Sequence, residues 1–135
     1  MTQNSTSWDK AFVQTANLDA TASANWELGR GLSPIGNNNT PFTGVYHGAN
    51  HRITGLYIHR PMASWVGLFG WVGSFSGGGT IENLVLDQAQ VAGGSSNVGG
   101  LIGALWLSLA SNCGYGGSVS GNTSVGGLVG EQWNS

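Results

Sequence analysis

Three histidines within thirteen residues are the first candidates for chemistry in this chain. His47, His51 and His59 are all the histidines that the sequence contains. A His-x3-His pair binds a metal ion best on a helix, where both side chains lie on one face. This stretch is instead typical of a turn followed by a strand, which would point His59 in another direction. We therefore predict solvated turn histidines, with no metal ion and no other cofactor.

The acidic residues do not suggest a hydrolase. Glycoside hydrolysis needs two carboxyl groups roughly 5 to 10 Å apart in a groove. Glu82 and Asp87 could lie near each other on an outer face, but no base and no groove-forming insertion accompanies them. The G-x-S-x-G pattern of serine hydrolases is also missing from the sequence. The acids from which a catalytic pair would have to come are Asp9, Asp19, Glu27, Glu82, Asp87 and Glu131. We predict that the protein is not an enzyme.

Cys113 is the single cysteine, which excludes an intrachain disulfide framework. A reactive thiol needs a nearby base or cation, and residues 105–130 contain neither. We predict that Cys113 is buried as a small apolar side chain.

Six tryptophans are many for 135 residues. Three of them flank glycine-rich segments and fall in or beside what we expect to be loops. They could pack loops onto the fold, stack on sugar rings, or form a protein contact, where tryptophan is enriched in hot spots. The candidate binding or interface residues are Trp65, Trp71, Phe75, Trp106, Leu107, Leu109 and Trp133.

The composition restricts the classes of protein to which the chain can belong. Charged residues make up 7% of it and the net charge is −2, so no basic patch exists to neutralise nucleic-acid phosphates. No apolar run is long enough to span a membrane as a helix, and the N-terminus lacks the features of a signal peptide. Short runs of Val, Ile, Leu and aromatic residues alternate with glycine and asparagine, which is typical of strands and turns.

A glycine-rich heptad recurs along the chain. "WVGLFG" is followed by "NVGGLIG" and "SVGGLVG", which align on the leucines Leu68, Leu101 and Leu128. We interpret Val45, in "GVY", as a weaker fourth copy. The heptad glycines are expected to provide positive φ at tight corners, or room for residues of a neighbouring repeat.

Two other segments recur between the heptads at a similar interval. "RITGLYIHR" matches "TIENLVLDQ", which pairs Ile53 with Ile81, Leu56 with Leu84 and Ile58 with Leu86. A further copy pairs Asn83 with Asn112, and a third segment pairs Val91 with Val119.

Short strands at a near-constant period predict an all-β fold, a parallel β-helix of about four to five coils. The length variation between repeats falls at residues 71–79 and 104–109, which we expect to be loops. Residues 1–135 would form a single β-solenoid domain. Residues 1–41 would be an irregular N-terminal coil or cap, and residues 42–135 would hold the repeats.

The repeats resemble the GLUG motif, in which VGGLVG is joined through a turn and a cysteine segment to G-x-V-x-G. The matching stretch is "NVGGLIG … SNCGYGGSVSGNTSVGGLVG". The upstream pieces Pro34-Ile35-Gly36 and "HGANHRITGL" are similar to the region that precedes such repeats. The chain departs from that pattern at His47 and Ala49, where Asp and Gly are usual, and in the apolar stretch 104–109.

The resemblance implies a right-handed β-helix from a secreted or cell-surface bacterial protein, as in filamentous-haemagglutinin-like adhesins and the noncatalytic parts of IgA-specific metalloproteases. We therefore predict a structural or adhesive module that self-associates into an oligomer or filament through open strand edges and the Trp/Leu loops. The alternative is a carbohydrate-binding module that uses exposed tryptophans to bind host or matrix glycans. We expect the protein neither to bind nucleic acid nor to span a membrane.

Overall fold

A computed structural model describes residues 5–133. These residues form fourteen strands and two 3-10 helices, η1 and η2, the second of which is interrupted at residues 26–28. In chain order the elements are η1 (Ser5–Ser7), β1 (Ala11–Val13), β2 (Leu18–Asp19), η2 (Thr21–Gly29), β3 (Val45–His47), β4 (Arg52–Thr54), β5 (Tyr57–Arg60), β6 (Phe69–Val72), β7 (Thr80–Glu82), β8 (Val85–Gly93), β9 (Val98–Gly99), β10 (Ile102–Trp106), β11 (Leu109–Ser111), β12 (Gly114–Ser120), β13 (Val125–Gly126) and β14 (Val129–Trp133).

Every sheet is built from parallel strands. The sheet orders are β1-β3-β7-β11, β2-β4-β8-β12 with β5 also beside β8, β6-β10-β14, and β9-β13. Neighbouring strands come from successive copies of the repeat, as for Ile102 beside Val129 and for Val45 beside Thr80. The structure therefore confirms an all-β fold of parallel, repeating strands.

The strands fall into four successive levels. Level 1 contains β1, β2 and the segment around Ile35, level 2 contains β3–β6, level 3 contains β7–β10 and level 4 contains β11–β14. Each level adds one strand, or one bridging residue, to most of the sheets. Within the predicted cap, residues 1–41, β1 and β2 pair with β3 and β4.

The predicted alignment of the three heptads is confirmed. Phe69, Ile102 and Val129 are register partners in adjacent strands, so the leucines that precede them occupy equivalent positions. Leu68 and Leu101 are buried, and Leu128 packs half-buried against the same core. The Asn83–Asn112 and Val91–Val119 matches agree with the observed register as well.

The fourth heptad copy was assigned to the wrong segment. Val45 lies in β3 and pairs with Ala11 and Thr80, far from any heptad in the register. The true counterpart in level 1 is Ile35, which forms a parallel bridge with Phe69. Gly36 follows Ile35 as Gly70 follows Phe69, but Pro34 stands where the heptads have leucine, so alignment on the leucines did not reveal this copy.

The register predicted for the segment "RITGLYIHR" is also wrong. Ile53 pairs with Leu86 and Ile58 pairs with Val91, so each partner lies further along the chain than the predicted match. Leu86, Ala89 and Val91 have the same spacing as Ile53, Leu56 and Ile58, and all three are buried. The small side chain of Ala89 hid this match, because the larger Leu84 completes an equally spaced apolar triplet nearby.

Parts of the two regions expected to be loops belong to strands. Trp71 lies in β6 and Trp106 in β10, and the apolar stretch that begins at Ala104 is a core strand in which Ala104 and Leu105 are buried. The connections that remain are residues 73–79 and 107–108. This strand, β10, is the central one of its sheet, because it pairs with β6 on one side and β14 on the other.

The explanation of the heptad glycines by positive φ is wrong. The left-handed conformation belongs to Trp65, Asn97 and Ser124, which stand just before the valine of each heptad, with φ of 54°, 58° and 50°. The heptad glycines instead permit close backbone approach. A Cβ at Gly103 would lie 2.6 Å from the carbonyl carbon of Trp65 and 2.7 Å from the oxygen of Gly70.

No helix within residues 5–133 is long and apolar enough to cross a membrane.

Candidate functional site: an aromatic row on one parallel sheet

Three tryptophans stack in a row across the sheet β6-β10-β14. The ring centroids of Trp71 and Trp106 are 5.6 Å apart with an interplanar angle of 19°. Trp106 and Trp133 follow at 5.5 Å and 17°. These separations are close to the spacing of about 4.7–4.9 Å between paired strands, so the strand ladder itself sets the stack.

The register explains which rings meet. Trp106 and Trp133 are direct partners in β10 and β14. Trp71 stands opposite Ala104, on the same face of the sheet as Trp106, so its ring reaches Trp106 on the diagonal. The side chain of Ala104 is small enough to leave that diagonal open.

Two further aromatic side chains extend the row. Trp65 contacts Trp71 edge to face at 5.4 Å, and Phe75 contacts Trp106 in the same manner at 5.0 Å. Phe75 is 86% exposed, although it lies against an ordered aromatic neighbour. The structure thus brings Trp65, Trp71, Phe75, Trp106 and Trp133 together, as a set that we call the aromatic row.

The stack determines which ring surfaces remain open. Both faces of Trp106 are covered, one by Trp71 and one by Trp133. Sugar rings bind to tryptophan by stacking on an open ring face. Because the faces in the middle of the aromatic row are covered, only ring edges are accessible there, and a sugar has no ring face on which to stack. The exposed side chains of the row are Phe75, which lies against Trp106, and Trp133 at one end.

A carboxylate supports the end of the row. The indole Nε1 of Trp133 donates a hydrogen bond of 2.7 Å to Oε1 of Glu131. The other oxygen, Oε2, accepts from Nδ2 of Asn97, which is 8% exposed. Sequence reasoning missed this pair, because Asn97 and Glu131 are distant in the chain and only the strand register brings them together.

A small cleft adjoins the row. Its volume is about 80 Å³, and its walls include Trp71, Phe75, Trp106, Asn38 and Pro41. Asn37 fixes the turn that carries two of these residues, since its Oδ1 accepts from the backbone N–H groups of Asn39 and Thr40, each at 2.9 Å. The asparagine run 37–39 is a turn signal in the sequence that points to this loop.

The two candidate leucines are placed differently. Leu107 follows β10 with φ of 47°, and its backbone N–H donates a 2.9 Å bond to the carbonyl oxygen of Trp133. Leu109 is half-exposed in β11 and pairs with Thr80, in another sheet. Leu107 therefore adjoins the aromatic row through its backbone, whereas Leu109 lies in the last strand of another sheet.

The histidines do not converge on one point. The imidazole Nδ1 of His47 accepts a 2.9 Å hydrogen bond from the N–H of Ala49, and its Nε2 lies 3.9 Å from Oε1 of Glu82. His59 is exposed and stacks on Tyr57 at a centroid distance of 6.4 Å. Within residues 5–133 no three metal-ligating side chains of His, Cys, Asp or Glu form a group.

Glu82 and Asp87 have separate basic neighbours, although the sequence suggested none. Glu82 approaches His47, as described above, while Asp87 Oδ2 lies 3.6 Å from Nη1 of Arg52. The two acids occupy different strands, β7 and β8, and different sheets.

Cys113 is half-buried against the core, so the prediction of burial is only partly met. Its Sγ donates to the carbonyl oxygens of Ser111 at 3.2 Å and Ile81 at 3.6 Å. Burial raises the pKa of the thiol, so the thiol stays protonated at neutral pH.

The fold and the aromatic row define a repeat protein of parallel strands, and comparison with known proteins agrees with its glycine-rich character. The chain is 37% identical over 124 residues, 88% of its length, to halomucin of Haloquadratum walsbyi. It is 40% identical over 77 residues, 56% of its length, to a protein of Evansella cellulosilytica named as a Gly-rich membrane protein.

The chain spans only 1% of the length of halomucin and 9% of the length of the Evansella protein. No family model and no solved structure matches the chain. The resemblance to GLUG repeats therefore stays a prediction.

Proposed function

We propose that the four levels are the coils of a right-handed parallel β-helix. The support is the register, in which each level places its strands beside the equivalent strands of the level before. In such a coil the chain completes one circuit before it returns to its starting sheet. The turn that precedes each heptad then lies at one corner of the coil. Its position is marked by the left-handed backbone conformation of Trp65, Asn97 and Ser124.

This β-helix acts as a non-enzymatic structural or adhesive module outside the cell or at its surface. The names of the two similar proteins, halomucin and a Gly-rich membrane protein, support that location. The resemblance to GLUG repeats of surface adhesins supports the same role. The aromatic row contributes rigidity in this reading, because ring contacts tie levels 2, 3 and 4 together across their strands.

The module self-associates end to end through the outer edge of level 4, and one observation carries this proposal. Among the described residues, β11, β12, β13 and β14 each stand last in their sheet, so four parallel strands present open edges on the same side. Natural proteins protect such edges with charge. The sequence of this level, residues 108–133, contains a single charged residue, Glu131.

The apolar character of the two end levels suits head-to-tail contact. Leu109, Val125 and Trp133 are exposed in level 4, and Val13 and Leu18 are exposed in level 1. Because parallel strands give the two ends different surfaces, the contact is heterologous and can continue from one copy to the next. A further repeat in a longer chain would occupy the same edges.

A substitution at Gly127 tests this arrangement. At Gly100, the equivalent position of level 3, an added Cβ would collide with the carbonyl oxygen of Gly127 and lie 2.5 Å from the ring of Tyr115. At Gly127 itself nothing lies within 4 Å of such a Cβ. We therefore expect Gly127→Val to fold as a single chain and to lose association, as measured by light scattering across a concentration series.

Met62→Val serves as the control, since Met62 is 90% exposed and belongs to no strand. Circular dichroism would verify that both variants are folded. The proposal would be overturned by a wild-type chain that stays monomeric at millimolar concentration. It would equally be overturned if Gly127→Val associated as strongly as the wild type.

Carbohydrate binding is the second candidate function, and one observation favours it. Phe75 is 86% exposed and lies beside a cleft that includes the amide of Asn38, a composition suited to a sugar. The stacked faces of Trp71 and Trp106 argue against a flat tryptophan platform, so any sugar would have to bind beside Phe75.

A further inference from the structure

We propose that the cleft beside Phe75 binds the acetamido group of an N-acetylhexosamine residue in a glycan. The proposal rests on the carbohydrate-binding candidate above and is independent of self-association, because a single copy of the chain contains the whole site. Its core consists of Asn38, Pro41, Trp71, Phe75 and Trp106.

The size of the cleft selects a small group. A buried water needs roughly 10–15 Å³ of such volume, and the cleft offers about 80 Å³. It therefore holds a few non-hydrogen atoms, such as the nitrogen, two carbons and oxygen of an acetamido substituent. A whole pyranose ring is too large to enter and would have to rest at the mouth.

The walls match the two halves of that substituent. Trp71, Trp106 and Pro41 give an apolar lining for the methyl group. The indole N–H of Trp71 is already used, since it donates a 3.1 Å bond to the carbonyl oxygen of Gly73. The exposed amide of Asn38 can donate to the carbonyl oxygen of the acetamido group and accept from its N–H.

Phe75 provides the surface for the sugar ring. Its side chain is 86% exposed, yet its contact with Trp106 fixes the ring edge to face. Its open face can therefore stack against the C–H groups of a pyranose. The faces of Trp106 cannot do so, because they are covered. The substituent would then enter the cleft while the ring stacks outside it.

The loop that carries Phe75 is held by hydrogen bonds of its own. Ser74 Oγ donates to the carbonyl oxygen of Gly77 at 3.0 Å, and the N–H of Gly77 donates to the carbonyl oxygen of Ser74 at 2.8 Å. This bonding preorganises the loop, which lowers the entropic cost of ordering it on a ligand.

Two trisaccharides with the same β-1,4 linkage test the proposal. Tri-N-acetylchitotriose carries the acetamido group at C2, whereas cellotriose carries a hydroxyl there. Calorimetric titration of the full chain should show binding of the first at least about tenfold tighter than binding of the second, a difference of about 1.4 kcal/mol. Equal affinities, or no binding of the N-acetylated sugar, would overturn the proposal.

Variants locate the site. Phe75→Ala and Asn38→Ala alter exposed side chains, so the fold should persist, and each should weaken binding of tri-N-acetylchitotriose at least about fivefold. Met62→Ala removes an equally exposed apolar side chain elsewhere and should leave the affinity unchanged. Unchanged affinity in both Phe75→Ala and Asn38→Ala would place any sugar binding outside this cleft and refute the assignment.

Light scattering on the same variants separates the two possible roles of this surface. If Phe75→Ala reduced association and left sugar affinity unchanged, the surface would be a contact between copies, and the glycan proposal would be wrong. If Gly127→Val removed association and sugar binding persisted, the two functions would be independent, as we propose.

Discussion

The side chains of Asn97 and Glu131, which lie in different levels of the fold, are joined by a hydrogen bond from the amide to the carboxylate. The same carboxylate accepts from Trp133, so it couples the left-handed corner at one heptad to the end of the aromatic row. The backbone of Asn97 adopts φ of 58°, which asparagine tolerates better than most residues.

Replacement of this asparagine should be costly. We expect Asn97→Ala to lower the free energy of unfolding by about 1–3 kcal/mol, because it removes a buried hydrogen bond and places alanine in a left-handed conformation. Ser124→Ala is the matched control, since Ser124 occupies the equivalent corner with φ of 50° and is exposed. Guanidinium unfolding would measure both variants, and equal losses would contradict the role of the hydrogen bond.

The heptad glycines should differ sharply in their tolerance of a methyl group. Gly103→Ala would push a Cβ against the backbone of Trp65 and Gly70, whereas a Cβ at Gly127 meets nothing within 4 Å. We expect Gly103→Ala to lower the melting temperature of the isolated chain by several degrees, as about 1 kcal/mol or more of destabilisation implies. Gly127→Ala should leave the stability within about 1 kcal/mol of the wild type or raise it. Thermal unfolding at low protein concentration would decide, and similar losses in both would refute close packing as the reason for the glycines.

A substitution at the centre of the aromatic row should lower the free energy of unfolding more than a substitution at its end. Trp106 touches Trp71, Trp133 and Phe75, whereas Trp133 ends the stack and is 51% exposed. We expect Trp106→Ala to cost about 3 kcal/mol and Trp133→Ala about 1 kcal/mol. Chemical unfolding followed by circular dichroism avoids the change in tryptophan fluorescence. A larger loss at Trp133 would show that the hydrogen bond to Glu131 outweighs the stack.

Cys113 should react slowly with alkylating reagents. Burial raises the pKa of its thiol, so the reactive thiolate is scarcer in the folded chain than in the unfolded one. Alkylation rates measured across neutral to alkaline pH should rise at higher pH in the native protein than in guanidinium. Because the folded state keeps the proton longer, this group stabilises the fold below the unfolded pKa of about 8.5, and its contribution is lost as the pH rises through the higher folded value. Identical pH profiles in both states would contradict this.

The sequence predicted the features of this fold that depend on local repetition. The three heptads, the pair Asn83–Asn112 and the pair Val91–Val119 recur with enough similarity to give the correct register. Ile35 could not be placed in this way, because Pro34 precedes it where the heptads have leucine. Ala89 could not be placed either, because its side chain is much smaller than that of Leu56 at the equivalent position. These two positions are recognised from tertiary packing and not from the local sequence pattern, because any apolar side chain of suitable size can be buried there.

The candidate site was predictable in its membership and not in its geometry. Most of the residues chosen from the sequence lie in the aromatic row, and Leu107 and Leu109 are the exceptions. The arrangement of the rings depends on a diagonal contact across Ala104, which requires the register of β6 and β10. Asn38 and Glu131 were missed, because their roles arise from contacts between distant parts of the chain.

The direction of the strand ladder has a mechanical consequence. Each strand bonds to the equivalent strand of the next level, so the hydrogen bonds run along the direction in which the levels stack. A force that separates the first level from the last therefore loads these bonds in line and opens them one strand at a time. The tryptophan stack runs along the same direction and adds ring contacts between levels 2, 3 and 4. Under tension the chain should lengthen in steps of one level, with level 1, which lies outside the stack, released first.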